Sequence, residues 1–300
     1  MVNKDAFTEF IMYKKLADLS HKTIIDYNQF INPFIDFLGS NNEIADIKQE
    51  DINTYITTLI DKPISKATRS TYIRHIKMYL KWLHDYHGKD ISFDYKRVKV
   101  PKNPKKNVLI YSDEQLNDIF SHIHAESDWI TNRNKCIVAL MYDSGLRQSE
   151  VCSIERSYVS YSENRIIVKG KGNKERTVPL GKLTAHYMKL YQEECPYKSD
   201  KLFVNRRGKD LTCNAVKLLI SRISDSLDFD FSSHKLRHNF ATNYCIDQYY
   251  SCGNIDIYRL MIILGHEDIE TTRRYLHHAN EIIGVNSCIS HLDKVLGGEN

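Results

Sequence analysis

The sequence holds no CxxC pair, and its seven cysteines are odd in number and scattered. That usage argues for reduced thiols in a cytosol and against a disulfide framework. No apolar run approaches the length that a bilayer requires; the longest, such as Cys136 to Tyr142, suit a buried helix. The first ten residues, MVNKDAFTEF, carry charges where a secretion signal needs an apolar core, so the expectation is a cytoplasmic protein. Internal repeats and low-complexity tracts are missing as well, which sets aside a repeat architecture. What is present is a chain of 300 residues, long enough for two domains with a core each.

Acidic residues are scarce in one stretch. Residues 1–50 hold 5 basic and 8 acidic side chains, residues 51–107 hold 13 and 5, and residues 108–300 hold 24 and 25. The formal net charge of +4 therefore arises from a single block that ends in VKVPKNPKKN. Such a block is an electrostatic footprint for nucleic acid, or else a solubilising surface.

Periodicity predicts a mainly α chain. Two amphipathic helices fill residues 1–38, split at Ser20, with Ile24, Tyr27, Ile31, Phe34, Ile35 and Leu38 at helical spacing before Gly39. A third helix is expected over Gln49 to Ile60 and a fourth from Ser65 to about Tyr86. In the fourth, Tyr72, Ile76, Tyr79, Leu80 and Leu83 share one side, while Lys66, Arg74, Lys77 and Lys81 share another. One side buries and the other suits a phosphate backbone or a major groove. Lys96 to Val108, with two prolines and six basic residues including Lys102 and Lys105, reads as an exposed linker that touches DNA. From Leu109 a larger helical domain follows, with helices expected at 112–123, 134–142, 182–194, 213–225, 234–247 and 256–264. A β-hairpin is expected from Arg165–Lys169 and Arg176–Leu180 around GKGNKE.

The stretch Ser232 to His277 carries the chemistry. HKLRHNFAT places His234 and Arg237 three residues apart, and LGHEDIETTRRY places Tyr275 nine residues after His266. With Arg147 in GLRQSEV and Lys171 in VKGKGNKERTVPL, these residues look like a site built around a phosphodiester. A phenol is both a usable nucleophile and a usable leaving group, since its pKa is about 10. Guanidinium forks bind phosphate oxygens in pairs and stay charged. His234 and His238 lie four apart on one helical face, a spacing that also suits a metal. No third ligand stands at a characteristic distance from them, and His238 reads as a packing residue.

These motifs and their order resemble those of the tyrosine recombinase (phage integrase) family, across residues 140–278, and the N-terminal helices with the basic linker resemble its core-binding domain. The resemblance implies a helical, SAM-like core-binding domain at 1–95, a basic linker at 96–108 and a catalytic domain at 109–300. It also implies that Tyr275 attacks the scissile phosphate to give a 3′-phosphotyrosine, with Arg147 and Arg237 clamping the phosphate. Lys171 would protonate the leaving 5′-oxygen, His234 and His266 would assist the proton transfers, and Glu150 would orient a catalytic side chain. Lys169 and Lys174 are expected to touch phosphates.

By the same resemblance the partner is double-stranded DNA at specific sites, bound by a homotetramer, with neither metal nor nucleotide cofactor. A tail at 284–300, in which Asn286 caps a helix carrying Cys288, Ile289, Leu292, Val295 and Leu296, would dock on a neighbouring copy or pack on its own domain. About 95 residues before the linker leave no room for a further arm-binding domain, which favours an Xer-like or transposon/plasmid resolvase organisation. Two features depart from the family pattern. QYYSCGN (Gln248 to Asn254) lengthens the interval between Arg237 and His266 and reads as a surface loop, and Ser232-Ser233 stands where Pro or Thr often precedes the His. The competing readings are a type IB topoisomerase and a catalytically silent DNA-binding regulator. The second is expected to lack Arg147, Arg237 or Tyr275, and all three are present.

Overall fold

Two serines set the helix boundaries of the N-terminal part. Ser20 Oγ accepts from the Thr23 amide at 3.2 Å and Ser65 Oγ from the Thr68 amide at 3.1 Å, each satisfying one of the free donors of a first helical turn. They open α2 (His21–Leu38) and α4 (Lys66–His87); α1 (Asn3–Leu16) and α3 (Gln49–Asp61) complete the set. The structure is a computed structural model that describes residues 1–102, 110–170, 172 and 174–287. The chain divides into two units, Met1–Lys106 and Asn107–Asn300.

The first unit is organised around Phe10, which is fully enclosed. Tyr27, Tyr79 and Trp82 meet its ring edge-on at 5.2, 5.3 and 5.5 Å, the arrangement that the ring quadrupole favours. Ile31, Phe34, Ile52, Leu59, Ile76 and Leu80 fill the rest of this core. On α4 the two sides separate as the periodicity predicts for Ile76, Tyr79, Leu80 and Leu83, which are buried, and for Lys66, Arg74 and Lys81, which are exposed; Tyr72 is half-buried against Phe30.

Lys77 departs from its expected side. It is half-buried, and its Nζ donates to the Val98 carbonyl at 2.6 Å. The reason lies in the segment after α4, which folds back on the unit. Phe93 and Val98 bury in its core, and the Pro101 carbonyl lies 3.0 Å from Ser70 Oγ. The first part of the stretch expected as an exposed linker is thus laid along α4, although Lys96, Arg97, Lys99 and Lys102 themselves stay exposed. Lys105 lies outside the described residues.

The second unit contains α5 (Asp113–Ser121), α6 (Asp128–Asp143), α7 (Gln148–Ser153), β1 (Val159–Ser160), β2 (Arg165–Lys169) and β3 (Glu175–Pro179). Then follow α8 (Lys182–Glu194), α9 (Cys213–Asp225), α10 (Ser233–Cys252), α11 (Ile257–Leu264) and α12 (Ile269–Asn286). The sheet is antiparallel in the order β1-β2-β3, with Ile166 opposite Val178 and Val168 opposite Arg176. The expected hairpin is β2–β3; the two-residue β1 is too short to leave a signal. Ile137, Leu140 and Met141 of α6 pack with Met188 and Tyr191 of α8 and with Ile166, Val168 and Val178 of the sheet in one core. A smaller cluster of Phe240, Ala241, Cys245, Leu260, Leu264, Tyr275, Ala279 and Ile283 joins α10, α11 and α12.

Three expectations need correction. Helix α6 begins at Asp128 and not at Asn134, because the polar-looking start is satisfied internally: the buried Arg133 donates to Asn134 Oδ1 and to the Val204 carbonyl, and stacks over Trp129. The lengthening at Gln248 to Cys252 is helix, not loop; α10 runs on until Gly253, whose amide donates to the Tyr249 carbonyl at 2.8 Å. Asn286, expected to open a helix, is instead the last residue of α12. Cys288, Ile289, Leu292, Val295 and Leu296 lie outside the described residues. No helix among the described residues is long and apolar enough to cross a membrane.

The internal bond of Lys77 has a measurable consequence. Lys77→Met is expected to destabilise the Met1–Lys106 unit by about 1–3 kcal/mol, since the buried Val98 carbonyl loses its donor. Arg74→Met is expected to change it by less than about 0.5 kcal/mol. Amide hydrogen exchange in α4 reads both; equal protection in the two variants would show that the bond contributes nothing.

Candidate active site

Glu150 lies at the centre of the candidate site. It is 3% exposed and sits in the first turn of α7, where its Oε2 accepts from the Arg147 backbone amide at 2.8 Å. Three guanidinium groups surround the carboxylate. Arg176 approaches from β3 with two parallel bonds of 2.9 Å, Arg147 donates from Nη1 at 2.8 Å, and Arg237 of α10 stands 3.9 Å away. Burial alone would raise the carboxyl pKa. The hydrogen bond and charge of Arg176, followed by the bonds from Arg147, outweigh it and hold the group below the ordinary glutamate value.

Further donors of these arginines are taken up by backbone at the end of α11, where unpaired carbonyls carry partial negative charge. Leu264 accepts from Arg237 Nη2 at 2.7 Å and from Arg147 Nη1 at 3.2 Å, Gly265 accepts from Arg147 Nη2 at 3.3 Å, and Ile263 from Arg176 Nε at 2.6 Å. Arg237 Nη1 donates to the Gly145 carbonyl. Gly145 has φ +63°, and a Cβ there would sit 2.4 Å from the Phe240 ring, so both conformation and space demand glycine. Burial and the nearby Arg147 lower the Arg237 pKa to about 10, which leaves it a cation at neutral pH. Three positive charges thus face one carboxylate, which leaves the cluster with net positive charge.

His266 follows α11. Its Nε2 lies 3.1 Å from Arg237 Nη2, which can only donate, so Nε2 accepts and Nδ1–H is assigned as donor to Thr272 Oγ1 at 2.9 Å. Burial first, then Arg237, Arg147, Arg274 and Arg176, depress its pKa to about 4, so the ring is neutral. Tyr275, on α12, is fully enclosed. The His266 ring lies parallel to it at 6.2 Å, and the His238 ring meets it edge-on at 4.7 Å. Its Oη accepts from Arg274 Nη2 at 3.1 Å.

The structure therefore brings together Arg147, Glu150, Arg237, His266 and Tyr275. His234 occupies the first turn of α10, an exposed residue whose ring is 6.4 Å from that of His238. Desolvation of the ring, then Arg274 and Arg237, lower its pKa. Lys171 lies outside the described residues; beside it Gly172 has φ +70°, and the Gly170 amide donates to the Lys174 carbonyl at 2.9 Å. Lys174 is exposed and 3.2 Å from Glu267. Lys169, expected to touch phosphate, is half-buried, 3.6 Å from Glu155 and 4.7 Å from the Tyr158 ring centre. His238 is buried as a packing residue. Among the described residues no group of three His, Cys, Asp or Glu side chains could hold a metal ion.

Sequence reasoning missed Arg176, Thr272 and Arg274. Arg176 carried a signal: it lies two residues before the buried Val178 on a strand and so shares its inward face, where an arginine requires a buried acid. Thr272 is three residues before Tyr275, on the same side of α12. Arg274 carried no signal, because adjacent helical positions do not ordinarily face each other.

Comparison with known proteins shows the family of the chain. Residues 110–281 match the phage integrase family, and residues 6–85 match the phage integrase N-terminal SAM-like domain. The chain belongs to the phage integrase family, the tyrosine recombinases, which are DNA-cleaving and rejoining enzymes. It is 26% identical to Tyrosine recombinase XerC of Oceanobacillus iheyensis over 285 residues, covering 91% of this chain and 90% of that one. To Tyrosine recombinase XerC of Bacillus subtilis it is 27% identical over 298 residues, covering 95% and 94%. The fold is shared with the XerH site-specific recombinase bound to a palindromic difH substrate (TM-score 0.69, 22% identity, covering 92% of this chain and 82% of that one). It is shared also with a lambda integrase dimer bound to a COC′ core site (TM-score 0.72, 15% identity, covering 92% and 95%).

The Glu150 cluster makes stability pH-dependent in a defined direction. Its folded-state pKa is below the unfolded value of about 4.3, so the stabilisation is complete above about pH 5 and is lost as pH falls through the folded value. Glu150→Gln is expected to cost about 3–5 kcal/mol near neutral pH and to flatten the acid limb of the stability curve. Urea unfolding near pH 7 and near pH 4 reads both effects; parallel curves for the two proteins would remove Glu150 from that role.

Proposed function

We propose that this chain cuts and rejoins double-stranded DNA at specific sites through a covalent 3′-phosphotyrosine on Tyr275. The observation that carries the reading is the cluster of Arg147, Arg176 and Arg237 around the single carboxylate of Glu150, beside the Tyr275 phenol. A phosphodiester brings further negative charge to a net-positive cluster, and the transition state brings more than the ground state does, so the cations favour it selectively. The XerH and lambda integrase structures hold DNA sites, which supports DNA as the partner here.

In the forward step Tyr275 Oη attacks phosphorus, the P–O5′ bond breaks, and Lys171 gives a proton to the departing 5′-oxygen. Arg147 and Arg237 hold the non-bridging oxygens. The phenol proton passes toward His266, whose neutral ring offers Nε2 once Arg237 turns to the phosphate; the phosphate charge then offsets the arginines that depress its basicity. His234 hydrogen-bonds the phosphate from the first turn of α10. In the reverse step a 5′-hydroxyl from the same or a partner strand attacks the phosphotyrosine, and the bond energy is conserved without ATP. Arg176 and Glu150 keep the clamp in place. Lys66, Arg74, Lys81 and Lys102 are exposed and supply sequence-independent contacts with the DNA backbone, as does Lys174. The enzyme works as a tetramer.

Tyr275→Phe is expected to bind a nicked suicide substrate normally and to leave no protein–DNA adduct on a denaturing gel. An undiminished adduct would transfer the nucleophile to another residue. Lys171→Ala is expected to cleave ordinary DNA poorly and to recover on a 5′-bridging phosphorothiolate, whose thiolate departs without a proton. If Lys171→Ala stays as slow on that substrate, the acid is elsewhere.

A further inference from the structure

The hydrogen bond on the Tyr275 oxygen comes from a residue outside the motifs. Arg274 reaches back across its own neighbour, with Nη2 3.1 Å from Tyr275 Oη and the guanidinium carbon 5.0 Å from the ring centre. Adjacent helical side chains diverge, so this contact needs the long arginine chain to bend over the ring. No carboxylate holds it elsewhere: among the described residues Arg274 has no ion pair, whereas its neighbour Arg273 pairs with Glu270. The charge is felt around the site. After burial, Arg274 is among the causes that lower the pKa values of His234, His238 and His266.

The motif arginines are directed elsewhere. Arg147 and Arg237 donate to Glu150, to His266 and to the carbonyls of Gly145, Leu264 and Gly265, and none of these bonds reaches Tyr275 Oη. One set of cations is thus gathered around Glu150 and the carbonyls of Gly145, Leu264 and Gly265, and a separate cation stands on the phenol.

We propose that Arg274 is a further catalytic residue, which donates to Tyr275 Oη while that oxygen carries negative charge. The inference rests on Tyr275 being the nucleophile. In cleavage the phenol proton leaves, the Oη–P bond forms and the P–O5′ bond breaks. In rejoining the Oη–P bond breaks and its electron pair returns to Oη. Arg274 keeps its own proton throughout and stabilises the phenolate at both ends of the cycle. Glutamine can donate one neutral hydrogen bond in its place, lysine a charged one without the planar fork.

The test uses the full-length chain with Arg274→Gln and Arg274→Lys, single-turnover adduct formation on a suicide substrate, and a pH series. The groups facing Tyr275 besides Arg274 are His238 of α10, His266 and Arg237, and all three are unchanged in these variants. Arg274→Gln is expected to slow adduct formation about 10- to 100-fold near neutral pH. The deficit is expected to shrink as pH approaches about 10, where solvent base ionises a phenol unaided. Arg274→Lys is expected to keep most of the rate, DNA binding by gel shift to stay at the wild-type level, and resealing of preformed adduct to slow in parallel with cleavage. A rate within about twofold of wild type, a faster rate, a deficit independent of pH, or a loss confined to DNA binding would each overturn the assignment. If Tyr275→Phe still formed adduct, the nucleophile reading would fail. If it formed none while Arg274→Gln matched wild type, only the role of Arg274 would fail.

Discussion

The buried Glu150 carboxylate is what allows three arginines to share one small volume. Two like charges about 4 Å apart repel by about 4 kcal/mol at the effective dielectric of a protein site, so an uncompensated trio would push itself apart. Glu150 takes two bonds from Arg176 and one side-chain bond from Arg147, and stands within 3.9 Å of Arg237. The compensation is partial by construction. One negative charge against three positive ones leaves a surplus, which the α11 carbonyls reduce without cancelling. Such a site is stable enough to fold and unsatisfied enough to bind an anion.

The fold delivers these groups from four places that are distant in sequence. Arg147 and Glu150 stand at the start of α7, Arg176 on β3, Arg237 in α10, and His266 with Tyr275 around the start of α12. The large core of α6, α8 and the sheet holds the first two places, and the smaller cluster under α10, α11 and α12 holds Tyr275. Helix α10 belongs to both, contributing Leu236 to one and Phe240, Ala241 and Cys245 to the other. Arg237 sits between those contributions. The arginine cluster and the proposed nucleophile are therefore tied through one helix, and a change in either core is felt at Arg237.

Charge also separates the two units. The first bears the basic block, but Lys77 is drawn inward by the returning segment, so the exposed cations of α4 are Lys66, Arg74 and Lys81. The second is close to neutral overall, with 24 basic and 25 acidic side chains over residues 108–300, and groups Arg147, Arg176 and Arg237 around one carboxylate. Broad attraction by one unit and local clamping by the other suits a long polyanion that must be held and then cut at one bond.

The sequence by itself determined the helices of the first unit, the β2–β3 pairing and the identity of the motif residues, because period, capping serines and motif spacing are local properties. It also carried the family, since five motifs in order depend on no contact. Local pattern failed where distant groups satisfied what looked polar. Arg133 inside α6 depends on Val204, the inward turn of Lys77 depends on Val98, and the continuation of α10 is closed only by Gly253. The roles of Arg176 and Arg274 were likewise set by tertiary structure. Strand alternation turns Arg176 inward but does not name its partner, a carboxylate 26 residues earlier in the chain; the contact of Arg274 depends on a side chain bending back over its neighbour, which leaves no periodic trace. Residue types can announce that a phosphate will be bound; only packing decides which cation reaches which oxygen, because hydrogen-bond geometry is fixed in space and not along the chain.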